Sequence, residues 1–299
     1  MSKFHFIKNQ KVTLAIIAII LLAGIVSFFV RGFNIDIDFS GGTEIKLNVG
    51  TEVTNEVCDK INDIIRNHEL LGNDYVSSTT KSESTANMAI IRTGTKALDN
   101  AQIDALLDAV AAAYPDTDLN DKEINKIDPT IGDSLTKSAI IAVIVAVALM
   151  LVYIWIRFEL KSGIAAVLCL THDLFVMFAV YSLFQIPINA NIIAALLTIL
   201  GYSINATIVV FDRVRENKAK LVGTSFAEVV NKSAHETMGR SVNTTITTLF
   251  TIGMIYILGV DAIRDFAFPL IIGIVAGLFS SVFMSGMIWN ALDKLGKKN

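Results

Sequence analysis

Six stretches of the chain run apolar without a charge that breaks them: about 12 to 30, 138 to 156, 163 to 184, 191 to 211, 242 to 259 and 266 to 289, with Asp173 as the one formal charge inside any of them. A hydrocarbon layer about 30 Å thick needs roughly 20 helical residues to cross it, so each stretch predicts a membrane span. The first follows Lys3, Lys8 and Lys11 and has no small-x-small cleavage site ahead of the polar segment, which reads as a signal anchor.

Between the first two spans the pattern changes. TEIKLNV alternates as a strand does, and VTNEVCDKINDIIRNHELL carries Val57, Ile61, Ile64 and Ile65 at helical spacing. Strands are expected near Asp74 to Thr80 and Asn87 to Thr93. A second helix is expected over Ala97 to Tyr114, with Ile103, Leu106, Leu107 and Val110 on one face, and a last strand near Leu119 to Ile127. The order β-α-β-β-α-β predicts a ferredoxin-like α+β domain. The fold class expected is therefore an α-helical membrane protein with six transmembrane helices and one such extracytoplasmic domain between helices 1 and 2. Its parts are residues 1-31 (N-terminus and first helix), 32-136 (the α+β domain) and 137-299 (helices 2-6).

Composition sharpens this picture. Apolar residues make up 53% of the 299, above the 45 to 50% or so of ordinary soluble domains. Residues 32-136 hold 19 acids against 8 bases, whereas the remainder holds 17 bases against 9 acids. Cytoplasmic flanks retain Lys and Arg, so the basic loops predict both termini on the cytoplasmic side of the membrane and the acidic domain outside. No basic stripe suited to nucleic acid is present. Cys58 and Cys169 give neither a disulfide framework nor metal-ligand spacing. His235-Glu236 lacks a second His four residues on, and no G-x-S-x-G elbow exists, so an enzyme is not expected, nor a metal or other cofactor.

Local motifs are more specific than composition. IDFSGGTEIKL follows the first span, IDPTIGDSL precedes the second and YIWIRFELK follows it. THD lies in the third, LLTILGYSIN and VVFDRVREN form the fourth, GRSVNTTITTL opens the fifth, and IRDFAFPLIIGIVAGLFSS makes the sixth. In this order they resemble the SecD/SecF family of bacterial protein-export membrane subunits, on its SecF side, within the resistance-nodulation-division superfamily. The resemblance implies an accessory subunit of the Sec preprotein translocase that, with SecD, couples the proton-motive force to late stages of export. Its implied partners are SecD, the SecYEG channel with SecA, YajC or YidC, and the translocating preprotein.

One departure stands out. The family's fourth span reads GYS-x-N-D-T, with an intramembrane Asp tied to proton conduction, and here Ala206 follows Asn205. A methyl group binds no proton, so that role does not transfer, which motivates the alternative of a non-conducting structural subunit that stabilises SecD and the translocon. The remaining proton-relay candidates are Asp173, His172, Arg240 and Asn205. Asp173 lies ten residues past Gly163, about 15 Å deep and near the midplane, where an ionised Asp is expensive and so is shielded or protonated. The competing role for the His172-Asp173 pair is to hydrogen-bond neighbouring helices. Arg240 matches a family arginine implicated in proton transfer, and reads equally as a positive anchor at the mouth of the fifth helix. Thr244, Thr248 and Thr251 form a stripe that can seat water or pair with Asn205.

Gly41 and Gly42 in DFSGGT are followed by no Lys-Ser or Lys-Thr, so they read as a hinge or tight strand entry. Gly273, Gly277, Ser281 and Ser285 recur every four residues, a ridge suited either to internal helix packing or to a seam for SecD. Pro269 is expected near the start of its helix, where a missing N–H does least harm.

Overall fold

The computed structural model describes residues 5–8, 10–68, 77–82, 85–94, 97–157 and 159–295. Lys3, Lys297 and Lys298, and the first part of the strand expected from Asp74, lie outside the described residues. The chain forms two compact units. One comprises Met1–Asn34, Ala142–Ile186 and Asn191–Asn299, the other Ile35–Ile141 with Pro187–Ala190.

The first span is helix α1 (Gln10–Arg31), followed by the single turn α2 (Ile37–Ser40). The α/β unit continues through β1 (Gly42–Asn48), α3 (Asn55–Asn67), β2 (Ser77–Lys81), β3 (Met88–Gly94), α4 (Asn100–Ala113) and β4 (Asp118–Ile127). The strands pair antiparallel in the order β2-β3-β1-β4, the split arrangement expected of a ferredoxin-like unit. Register is set by hydrophobic alternation: Ile45 on β1 lies between Ile91 of β3 and Ile124 of β4, and a one-residue slip would turn this row to the opposite face. Against the buried Ile45, Leu47 and Ile91 pack Cys58, Ile61 and Ile65 of α3 and Ile103, Leu106, Leu107 and Val110 of α4. Cys58 is part of this core although its sequence surroundings are polar, and Ile64 is half-buried. Helix α3 starts where the Thr54 hydroxyl accepts from Val57 N–H, and α4 starts at an Asp99/Gln102 capping box. Edge strand β4 is mostly exposed and carries Asp121, Lys122, Glu123 and Lys126, charges that discourage edge-to-edge pairing.

Gly41 and Gly42 make the entry to β1. Gly41 (φ 72°) caps α2, and Gly42 (φ 130°) lies so close to the Thr93 carbonyl that a Cβ would overlap it. Beside them Arg92 Nε donates to Glu44 at 2.8 Å and lies 3.4 Å from Asp36. Burial pushes the Asp36 carboxyl above its ordinary range, outweighing the lowering by Arg92.

The loop 187–190 belongs to this unit. Ile35 and Ile188 form a parallel bridge, Asp36 N–H donates to the Ile188 carbonyl at 3.1 Å, and Ala190 N–H donates to Asp38 Oδ2 at 2.7 Å. Replacing Asp38→Ala removes a charge-assisted acceptor and is expected to cost about 1.5 to 3 kcal/mol. Thermal unfolding and faster amide exchange at Ala190 would register it; unchanged exchange there would show that this bond does not hold the loop.

The remaining helices are α5 (Pro129–Arg157), α6 (Leu160–Phe184), α7 (Asn191–Lys220), α8 (Phe226–Leu258) and α9 (Asp261–Phe279), followed by a π-helical segment (Ser280–Met284) and α10 (Ser285–Leu295). Among the described residues six helical spans are long and apolar enough to cross a membrane, the last running from α9 through α10. Several outrun their charge-free stretches. Helix α8 begins sixteen residues before the run at 242, because Val229, Val230, Ser233, Ala234, Thr237 and Ser241 give its first half a buried stripe beneath a charged exterior. Two expectations change as a result. Arg240 lies inside α8 and not at its mouth, and Pro269 lies inside α9, whose first turns begin at Asp261. At Pro269 one backbone hydrogen bond is lost, a loss that neighbouring helices make tolerable in membrane spans.

Candidate functional site

Among the described residues of the membrane-spanning unit, two polar places within the spans bear on function, and they differ in character. The first is a closed network. Asp173 of α6 is fully buried and His172 is 5% exposed. His172 Nδ1 lies 3.0 Å from Asp173 Oδ1, while Asp173 Oδ2 accepts from the Ser203 hydroxyl of α7 at 2.5 Å and from the Ser280 hydroxyl at 2.8 Å. Ser280 opens the π-helical segment, and the Cys169 thiol of α6 lies 3.6 Å from its carbonyl. A π-turn inserts one extra residue, so it shifts the angular register of the residues beyond it and brings the consecutive Ser280 and Ser281 both inside. One carboxylate thus ties three chain segments together, and both of its oxygens are occupied. Two further buried polar atoms, His172 Nε2 and Thr207 Oγ1, have no hydrogen-bond partner among the described residues.

The small-residue ridge serves the same assembly. A Cβ on Gly273 would overlap Ile199 of α7, and one on Gly277 would meet Ser203 Cβ at 3.1 Å. Gly273 and Gly277 therefore face α7 of this chain and let α9 approach closely enough for Ser280 to reach Asp173. Ser281 is buried within the π-segment, its hydroxyl on the Leu278 carbonyl, so the four-residue repeat is interrupted there.

The second place is an open cleft of about 80 Å³ between α7 and α8, lined by Tyr202, Asn205, Ala206, Val209, Arg240, Ser241, Thr244 and Thr245. The Tyr202 hydroxyl donates to Thr245 Oγ1 at 2.9 Å across it. Asn205 and Arg240 are exposed and Ala206 is half-buried. The threonine stripe does not pair with Asn205: Thr244, Thr248 and Thr251 donate to the carbonyls of Arg240, Thr244 and Thr247 in their own helix. Asn205, Ala206 and Arg240 are therefore brought together, whereas His172 and Asp173 belong to the closed network.

At the other end of α7, the Arg213 guanidinium joins Glu216 at 2.6 Å and Glu236 of α8 at 2.7 Å, and Asp212 lies 3.5 Å from Arg157 of α5. These pairs brace three helices. Ser203 and Ser280 escaped the reading of the sequence as site residues. Their only signal is a serine inside an apolar span, which in lipid needs a partner.

A helical bundle of six spans among the described residues, with an internal carboxylate, a polar cleft between two spans and a ferredoxin-like domain after the first helix, defines a polytopic membrane protein. The family described as protein export membrane protein SecD/SecF, C-terminal, matches residues 107–295. The protein translocase subunit SecF of Petrotoga mobilis is 31% identical over 306 residues, covering 100% of this chain and 99% of that one. The SecF of Acidaminococcus fermentans is 35% identical over 292 residues, covering 97% of each. Among solved structures, the translocon-associated membrane protein SecDF from Thermus thermophilus aligns at TM-score 0.82 and 29% identity, covering 99% of this chain and 39% of that longer one. The chain belongs to the SecD/SecF family, and its full-length relatives are protein translocase subunits of the SecF type.

Proposed function

We propose that this chain works in the bacterial cytoplasmic membrane, both termini inside, as the SecF-type half of a complex with a SecD partner, and that the complex couples the proton-motive force to late stages of protein export through SecYEG. The observation that carries this reading is the α7–α8 cleft. Asn205 and Arg240 are exposed on the flank of a membrane-spanning unit, a place where polar groups are expensive unless protein covers them. A SecD half supplies that cover, and with it the titrating acid that Ala206 cannot provide. The SecDF of Bacillus subtilis, of which this chain matches 38%, carries both names on one polypeptide and supports the pairing. In this reading the chain contributes Asn205, Arg240 and the Tyr202–Thr245 pair as the polar wall of an ion path, and the acidic domain engages the emerging preprotein.

The test is export into proteoliposomes containing SecYEG, SecA and SecD, with and without this chain and with and without an uncoupler. Stimulation that requires SecD and disappears with the uncoupler is expected. A second reading, a non-conducting subunit that orders SecD and the translocon, is favoured by the fully occupied oxygens of Asp173. It predicts equal stimulation in the presence and absence of the gradient.

A further inference from the structure

Helices α1 and α6 pack so closely that a Cβ on Gly24 would overlap Ala179. On one flank of that contact they leave an apolar groove of about 430 Å³, walled by Leu21, Ile25, Phe28, Phe33, Phe175 and Phe178. The rings of Phe28 and Phe33 lie 4.9 Å apart and those of Phe33 and Phe178 5.9 Å apart, a continuous aromatic wall. Just beyond this lining, at the C-terminal ends of the same two helices, Arg31 reaches across from α1 to donate to the Leu183 carbonyl of α6 at 3.1 Å, and Ser182 and Gln185 donate to the Gly32 carbonyl. Arg31 is exposed, and its guanidinium carries five N–H donors.

We infer that this groove holds one phospholipid of the leaflet at which α1 ends, its acyl chain along the phenylalanines and its phosphate on Arg31. Length decides between a lipid and a partner helix. The α1 wall of the groove runs from Leu21 to Phe29, and Arg31 follows two residues on, about 15 Å of helix in all, which is half of a hydrocarbon core about 30 Å thick. An acyl chain spans one leaflet; a transmembrane helix needs the whole thickness. The volume also falls within the roughly 300 to 1,000 Å³ of small-molecule sites. Charge fixes the orientation, since Arg31 stands in the last turn of α1, at the headgroup end, and an Arg–phosphate contact is a charge-assisted pair. The site does not depend on the export reading.

Native mass spectrometry of the full chain in detergent, titrated with phosphatidylglycerol or with diacylglycerol of the same acyl chains, tests it. One phosphatidylglycerol is expected to survive delipidation, with Arg31→Gln weakening retention about tenfold, the size of one charge-assisted contact. Arg31→Lys should restore part of it, and Ile25→Trp, which fills the groove and leaves the cation in place, should also release the lipid. Equal retention of diacylglycerol, or equal retention by Arg31→Gln and wild type, would overturn the proposal. So would a cross-linker at position 25 that captures SecD in the assembled complex in place of lipid. Arg31→Lys and the diacylglycerol arm keep the test decisive if Arg31→Gln misfolds.

Discussion

Asp173→Ala is expected to destabilise the membrane unit by about 2 to 5 kcal/mol, whereas Asp173→Asn is expected to leave it folded and exporting. The alanine removes the common acceptor of His172, Ser203 and Ser280 and leaves three buried polar groups without it. Each such loss inside a membrane protein is worth about 0.6 to 2 kcal/mol, and the Ser280 contact also holds the π-segment in register. The asparagine keeps one acceptor oxygen and offers an amide that can donate to a serine oxygen, so the geometry survives while the capacity to exchange a proton is lost. If Asp173 is a structural tie, Asp173→Asn retains gradient-dependent export within about twofold, less than 1 kcal/mol. If it is a relay member, the variant folds normally by thermal unfolding and loses the gradient-dependent part. The two substitutions together separate holding the bundle from moving a proton.

The sequence made much of this legible, and its silences have physical causes. The strand alternation of TEIKLNV and the stripe Ile103, Leu106, Leu107 and Val110 forecast both layers of the α/β unit, because each element buries one face and the period shows it. The ends of α7 and α8 were less visible. Beyond the lipid those helices continue as amphipathic stretches, and absence of charge marks the hydrocarbon zone and not the helix. Asp173 announced itself as a charge in an apolar run, yet its partners lie 30 and 107 residues away and the second depends on a π-turn. Nothing local in SSVFM distinguishes such a turn from an ordinary helix; it becomes intelligible once Ser280 is seen to satisfy a buried carboxylate. Gly273 and Gly277 were ambiguous for a related reason. A small-residue ridge specifies close approach and says nothing about which helix approaches.

Ala206→Asp is the substitution with the largest expected effect on activity. The new carboxyl would enter the cleft that already holds Asn205 and Arg240, so the guanidinium can offset an insertion penalty of about 2.5 to 3.5 kcal/mol for an Asp at the membrane centre. If the cleft lines the ion path, a titrating group there gives this half its own point of coupling. Gradient-dependent stimulation of export in proteoliposomes with SecD should then rise, bounded by the 2.3 kcal/mol or so that one charge gains per 100 mV, about fiftyfold. Ala206→Asn supplies the size and polarity without the titration and should leave the gradient dependence unchanged. Adding Arg240→Gln to Ala206→Asp removes the offsetting charge and should cancel the gain. Identical gradient dependence for wild type, Ala206→Asp and Ala206→Asn would remove the cleft from the ion path and leave this chain as a support for SecD, because a carboxyl set among those residues and exposed to the same field could not then be silent.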